Sequence, residues 1–110
     1  MHIGLIGGIG PAATEFYYRG LVAAHEKSGA ALDLTIVHAD VRDMVQNATA
    51  GNAAAQAEIF RGFAERLKVA GADAVAVTSL GGHFCISEFE AISPLPVINA
   101  IPAIDAYLGN

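Results

Sequence analysis

Three short stretches of this 110-residue chain hold most of the residues able to do chemistry. The first is Gly7-Gly8-Ile9-Gly10-Pro11. Its glycines allow a ligand close to the backbone, and a helix opening at Pro11 offers unpaired N–H groups, so the stretch reads as an anion-binding corner. A tight turn needing φ > 0 would select the same glycines. Pro11 carries no N–H, which leaves its neighbours as donors. The second stretch, Thr78-Ser79-Leu80-Gly81-Gly82-His83-Phe84-Cys85, gathers hydroxyls, glycines, an imidazole and the only thiol. The third, a loop over 38–47, carries Arg42, Gln46 and Asn47. Arg42 can grip a carboxylate through two parallel N–H donors, or it can pair on the surface with Asp40 or Asp43.

Several familiar chemistries do not fit these stretches. His83 and Cys85 are two positions apart with no second ligand pair, which argues against a metal site. No glycines flank Ser79 in the G-x-S-x-G spacing of a nucleophile elbow. Gly8-Ile9-Gly10-Pro11-Ala12-Ala13 satisfies G-x-G-x-x-A, the dinucleotide pattern. The acid that should follow at the end of the second strand, Asp40, lies farther past Ala13 than the roughly 20 residues expected. Cys85 reads as a small buried residue of the following helix, which would start near Gly82. His83 reads either as a functional imidazole or as a helix-start histidine bonded to backbone.

Parallel strands must position these stretches. Short apolar, β-branched runs at 2–7, 32–38 and 74–79 predict strands buried on both faces, and 95–99, opened by Pro94 and Pro96, predicts a short fourth at an edge. A helix is predicted from Pro11 to a stop at Ser28-Gly29, with Tyr17, Leu21 and Ala24 on one face. A second lies between Asn52 as N-cap and Gly71 past its end, with Ile59, Phe63, Leu67 and Ala70 as its apolar stripe. After Pro102 a further short helix is expected over 101–108. Strands alternating with helices predict an α/β fold, a parallel sheet of about four strands with helices on both faces. Ligands of such a sheet collect outside the carboxyl ends of the strands, where all three stretches fall.

Composition narrows the partners. Eleven Asp and Glu against six Lys and Arg give a net charge of −5, with the basic residues scattered, so nucleic acid is not an expected partner. No run approaches the 18 to 20 apolar residues of a membrane span. A single cysteine and an opening without a basic leader point to the cytoplasm.

The run Ile3-Gly4-Leu5-Ile6-Gly7-Gly8-Ile9-Gly10-Pro11 with Ala13-Thr14 and Tyr17-Tyr18, then Ala70-Gly71-Ala72-Asp73 before a strand and Leu95-Pro96-Val97-Ile98, resembles the cofactor-independent aspartate/glutamate racemase family. Members of that family have two pseudo-symmetric lobes, each giving one catalytic residue to the cleft between them. The resemblance implies that residues 1–110 form the N-terminal lobe. It also implies α-proton transfer on a small acidic amino acid between opposed thiols, without pyridoxal phosphate or metal. When His83 is aligned with the family histidine, Ser79 stands where the first catalytic cysteine is expected, and Leu80 and Gly81 replace Asn and Thr. A hydroxyl there implies asymmetric or one-sided chemistry, since serine is a poorer base than a thiolate. The site implied is Ser79 and His83 at the α-carbon, with Gly8, Ile9, Gly10, Arg42, Gln46, Asn47, Leu80 and Gly81 around the substrate. Apolar surface left by an absent second lobe would favour a homo-oligomer. Two alternatives stand beside this reading: a non-catalytic amino-acid-binding homologue, and a dinucleotide-binding oxidoreductase domain.

Overall fold

The computed structural model describes residues 1–78 and 80–98. Ser79, the expected strand end at Asn99 and the expected helix over 101–108 lie outside the described residues.

Among the described residues three parallel strands form the sheet: β1 (His2–Gly7), β2 (Asp33–His38) and β3 (Ala74–Val77), in the order β2-β1-β3. Ile3 sits opposite Leu34 on one side and Ala74 on the other. α1 (Pro11–Ser28) links β1 to β2, and α2 (Val41–Thr49) and α3 (Ala53–Val69) both lie between β2 and β3. A 3-10 turn (Leu80–Cys85) and α4 (Ile86–Ile92) follow.

The helix boundaries have local causes. Pro11 begins α1, and Gly29 ends it at φ 75°, a left-handed conformation that glycine adopts without steric cost. Asn52 caps α3 by accepting from the Ala55 N–H at 3.1 Å. At the other end the Gly71 N–H bonds the Lys68 carbonyl and the Ala72 N–H the Leu67 carbonyl, a Schellman closure around Gly71 at φ 101°.

Alternation along β1 divides the core. Ile6 points to the side covered by α3 and α4, where Phe60 and Phe89 meet edge to face at 5.6 Å, both fully buried. Burial of each such ring contributes about 1.5–3 kcal/mol. Gly4 lies on this same side, and a Cβ there would come within 2.9 Å of Leu67, so its bare backbone lets α3 pack close. Leu5 points the other way, to Leu21 and Ala76 with Tyr17 beside them, under α1. Helices thus cover both faces. Phe16, Tyr18 and Ile36 remain exposed on the α1 side.

Four expectations are corrected. The stretch over 38–47 is not a loop: Asp40 caps α2, which begins at Val41, so two helices rather than one separate β2 from β3. The buried face of α3 is Gln56, Ala57, Phe60, Ala64 and Leu67, with Ile59 and Phe63 at its margin and Ala70 exposed. The stripe is rotated because Phe60, packed on Phe89, faces inward, and Ala57, Ala64 and Leu67 follow it at helical spacing. The fourth strand is reduced to one parallel bridge, Val75 to Val97, held by Val75 N–H to the Pro96 carbonyl at 3.0 Å and Ile98 N–H to the Val75 carbonyl at 2.7 Å. Pro94 and Pro96 have no N–H to extend that ladder. Finally, α4 starts at Ile86, so Cys85 precedes it as the N-cap instead of lying inside it.

Candidate functional site

Three strand ends converge on the glycine turn. The Ala39 N–H, just past β2, donates to the Gly7 carbonyl at 2.7 Å, and the Thr78 N–H, just past β3, donates to the Ile6 carbonyl at 3.2 Å. Gly8 has φ 93°, and a Cβ on it would lie 2.8 Å from the Ala39 carbonyl oxygen and against the His38 imidazole. Both the conformation and the crowding require glycine. Gly7 is needed for a different reason: a Cβ there would be 2.7 Å from Thr14 of α1.

The turn is tied down by hydroxyls. The Gly8 N–H donates to Thr14 Oγ1 at 3.1 Å. Thr14 Oγ1 lies 3.1 Å from Thr78 Oγ1, and the Thr78 hydroxyl donates to the Ile6 carbonyl at 3.3 Å. Thr78 is 2% exposed. With the Gly8 amide engaged, the donors open to an anion are those of Ile9, Gly10, Ala12 and Ala13, since the first intrahelical bond of α1 is Thr14 N–H to the Gly10 carbonyl at 3.0 Å. The Ile9 side chain is buried in the core, so only its backbone faces this role. Gly10 is the N-cap of α1, with extended backbone and no side chain to compete for those amides.

On the β3 side, Leu80 and Gly81 open the 3-10 turn. His83 Nε2 lies 3.2 Å from the Val77 carbonyl oxygen. A carbonyl only accepts, so Nε2 carries the proton and donates it, leaving Nδ1 as the basic nitrogen of the neutral ring. His83 is therefore bonded to backbone at a helix start, with one ring nitrogen still available for chemistry. Cys85 is fully buried, and burial, followed by the charge of Glu88, pushes its thiol up to about 11. It is protonated at neutral pH and packs as a small apolar residue.

The third stretch divides. Arg42 donates from Nε and Nη2 to Asp40, the shortest contact being 2.7 Å, while the Asp40 Oδ1 also accepts the Arg42 backbone N–H at 2.8 Å. These bonds from Arg42 side chain and backbone hold the Asp40 carboxyl down to about 2. The surface pairing anticipated for Arg42 is thus formed, and its guanidinium is engaged by its own helix cap. Gln46 is exposed one turn further along α2. Asn47, its neighbour, turns inward and donates from Nδ2 to Oε1 of the buried Gln56 at 2.8 Å, joining α2 to α3.

The structure therefore brings Gly8, Ile9 and Gly10 together with the end of β3, and sets Arg42 and Asn47 into contacts of their own. Thr14, Thr78 and His38 are the residues at this convergence that the sequence did not single out as site residues. Their one legible signal was position, Thr14 a turn into α1 and the other two at strand ends. Among the described residues no group of three His, Cys, Asp or Glu side chains is placed to hold a metal, and no helix is long and apolar enough to cross a membrane.

Solved structures share this fold. An Asp/Glu racemase candidate from Yersinia pestis superposes with a TM-score of 0.82 at 26% identity, over 99% of this chain and 49% of that one. An aspartate racemase homologue from Pyrococcus horikoshii OT3 has the same fold, with a TM-score of 0.77 at 22% identity over 97% of this chain and 48% of its own. The chain thus spans about half the length of each. No curated protein matches it. The family model for Asp/Glu/hydantoin racemase matches residues 6–107, covering the glycine turn, β3 and the turn after it, and the chain belongs to that family.

Proposed function

We propose that the chain is the N-terminal lobe of a cofactor-independent aspartate/glutamate racemase-like isomerase that moves the α-proton of a small acidic amino acid. The observation that carries the reading is the junction of the glycine turn with the end of β3: the anion corner is bonded to Thr78, just past the strand, and the following residue, Ser79, aligns with the family's first catalytic position. The amides of Ile9 and Gly10 receive the substrate carboxylate, with Gly8 supplying the turn that aims them. Leu80 and Gly81 line the far side, and Ser79 and His83 face the α-carbon. Arg42 and Gln46 form the outer rim, where Arg42 meets a second carboxylate only by leaving Asp40, and Asn47 supports that rim from behind through Gln56. A base on this wall removes the α-proton, and an acid on an opposing wall returns a proton to the other face, which inverts the centre. The carboxylate-bound amides offset the charge that develops meanwhile. Neither pyridoxal phosphate nor metal takes part.

A cytoplasmic location and association into a homo-oligomer belong to the same proposal, the second supported by exposed Phe16, Tyr18 and Ile36. Ser79, Leu80 and Gly81 in place of Cys, Asn and Thr favour one rival, an amino-acid-binding homologue without turnover. Deuterium uptake at Cα of L- and D-aspartate and glutamate in heavy water, followed by NMR, separates the two. The 110-residue chain, with one wall, should bind and leave exchange at background. A protein carrying both walls should exchange, and Ser79→Cys should raise exchange on this lobe's face, since a thiol is partly ionised near neutrality and a hydroxyl is not. Binding without exchange in the two-walled protein would establish the rival. No binding would remove both.

A further inference from the structure

We infer that Thr14 and Thr78 are positioning residues, a hydroxyl relay that locks the glycine turn to the end of β3 and withholds the Gly8 amide from any ligand. The assignment rests on the site proposed above. The Gly8 N–H donates to Thr14 Oγ1 at 3.1 Å, and Thr14 Oγ1 lies 3.1 Å from Thr78 Oγ1. Each hydroxyl has one proton, and two placements satisfy the contacts. In one, Thr14 donates to Thr78 and Thr78 to the Ile6 carbonyl at 3.3 Å. In the other, Thr78 donates to Thr14 and Thr14 to the Gly10 carbonyl at 3.4 Å. Both placements bond the two hydroxyls to each other and keep the Gly8 N–H on Thr14. The relay starts at Gly8, just past β1, passes through Thr14 of α1 and reaches Thr78, just past β3.

Such a chain does what packing alone cannot. Gly7 and Gly8 have no side chains to anchor their turn, and the relay supplies an anchor from α1 and from the residue preceding Ser79. A shift at either threonine is therefore passed to the amides of Ile9 and Gly10. Chains of hydrogen bonds in a low-dielectric interior also strengthen one another, so cutting either link weakens both.

The test compares Thr14→Val, Thr78→Val, Thr14→Ser, Thr78→Ser and the double valine variant in the 110-residue chain. Amide hydrogen exchange at Gly8, Ile9 and Gly10 is read alongside NMR titration with L-aspartate and L-glutamate. Valine preserves shape and removes the hydroxyl. Either valine change should speed exchange at Gly8 about ten-fold, the loss of one hydrogen bond of ordinary net strength. Both should weaken aspartate or glutamate binding by a similar factor, and the serine variants should restore exchange and affinity. The double variant should be no worse than either single one. The relay is overturned if Thr78→Val leaves Gly8 exchange unchanged, or if serine fails to rescue. Should the exchange pattern appear as described while the wild-type chain binds neither acid, the relay stands as the lock on this turn and the proposed function fails.

Discussion

At the end of β1 the polar groups are turned inward and held by three different elements, whereas at the start of α2, along the same edge of the sheet, they are exposed and closed upon each other. Thr14 and Thr78 connect the glycine turn to α1 and β3 through contacts 64 residues apart in the chain. Asp40 and Arg42 are two residues apart, and their pairing defines nothing beyond the first turn of one helix. The contrast separates residues with the chemistry for a role from residues whose geometry is fixed for it. A guanidinium in solvent can be redirected by a ligand at little cost. A buried hydroxyl held between two elements cannot.

The largest effect should come from the turn. Gly8→Ala combines a left-handed conformation with a Cβ pressed on the Ala39 carbonyl, and should lower unfolding free energy by about 2–4 kcal/mol in urea titrations. Gly51, at φ 67° with open space around it, is the control: Gly51→Ala should cost about 1 kcal/mol. Equal losses at the two positions would mean that the crowding at Gly8 is not real. Within α2 the same comparison repeats between neighbours. Asn47→Ala strips the buried Gln56 of its partner and should cost about 1–3 kcal/mol. Gln46→Ala should stay within about 0.5 kcal/mol.

Cys85 gives a prediction in the alkaline range. Its folded pKa of about 11 lies above the ordinary 9.0, so the stability it contributes is complete below pH 9 and is lost as pH rises toward 11. Thiol reagents at pH 8 should label it slowly in the native chain and readily in urea, and fast native labelling would contradict its burial. The smallest effect belongs to the exposed pair. Arg42→Gln should let Asp40 rise from about 2 part of the way to 3.8, because the backbone donor at position 42 remains. The folded pKa lies below the unfolded one, so the stabilisation is present above pH 3.8 and disappears as pH falls toward 2. Carboxyl carbon shifts recorded through acid titration would show the change, and a static Asp40 midpoint would count against the pairing.

The strand runs and the caps of α1 and α3 were legible because they depend on local physics: β-branched runs, Pro11, Asn52, Gly29 and Gly71 act within a few residues of themselves. α2 was missed although its signal was present, Asp40 before Val41. Its apolar residues Val41 and Val45 are exposed and only Met44 is buried, so no stripe announced a helix. The α3 stripe was rotated because Phe60 and Phe63 are equally apolar, and only a tertiary partner, Phe89, decides which of them faces inward. At the site, the glycine turn was readable from type and spacing. The Thr14–Thr78 relay and the contact of His38 with Gly8 were not, because strand order decides them and no local pattern encodes it.

Strand order has a further consequence during synthesis. β1 is the central strand, yet one of its two partners, β3, pairs with it across 71 residues, as Ile3 with Ala74. At about 5–20 residues per second, the ribosome needs several seconds to a quarter of a minute to deliver that partner. Throughout that interval the edge of β1 that β3 will cover stays open. The β1–α1–β2 unit, already complete, has α1 over one face only, and a nascent-chain chaperone would meet its other face uncovered until α3 emerges.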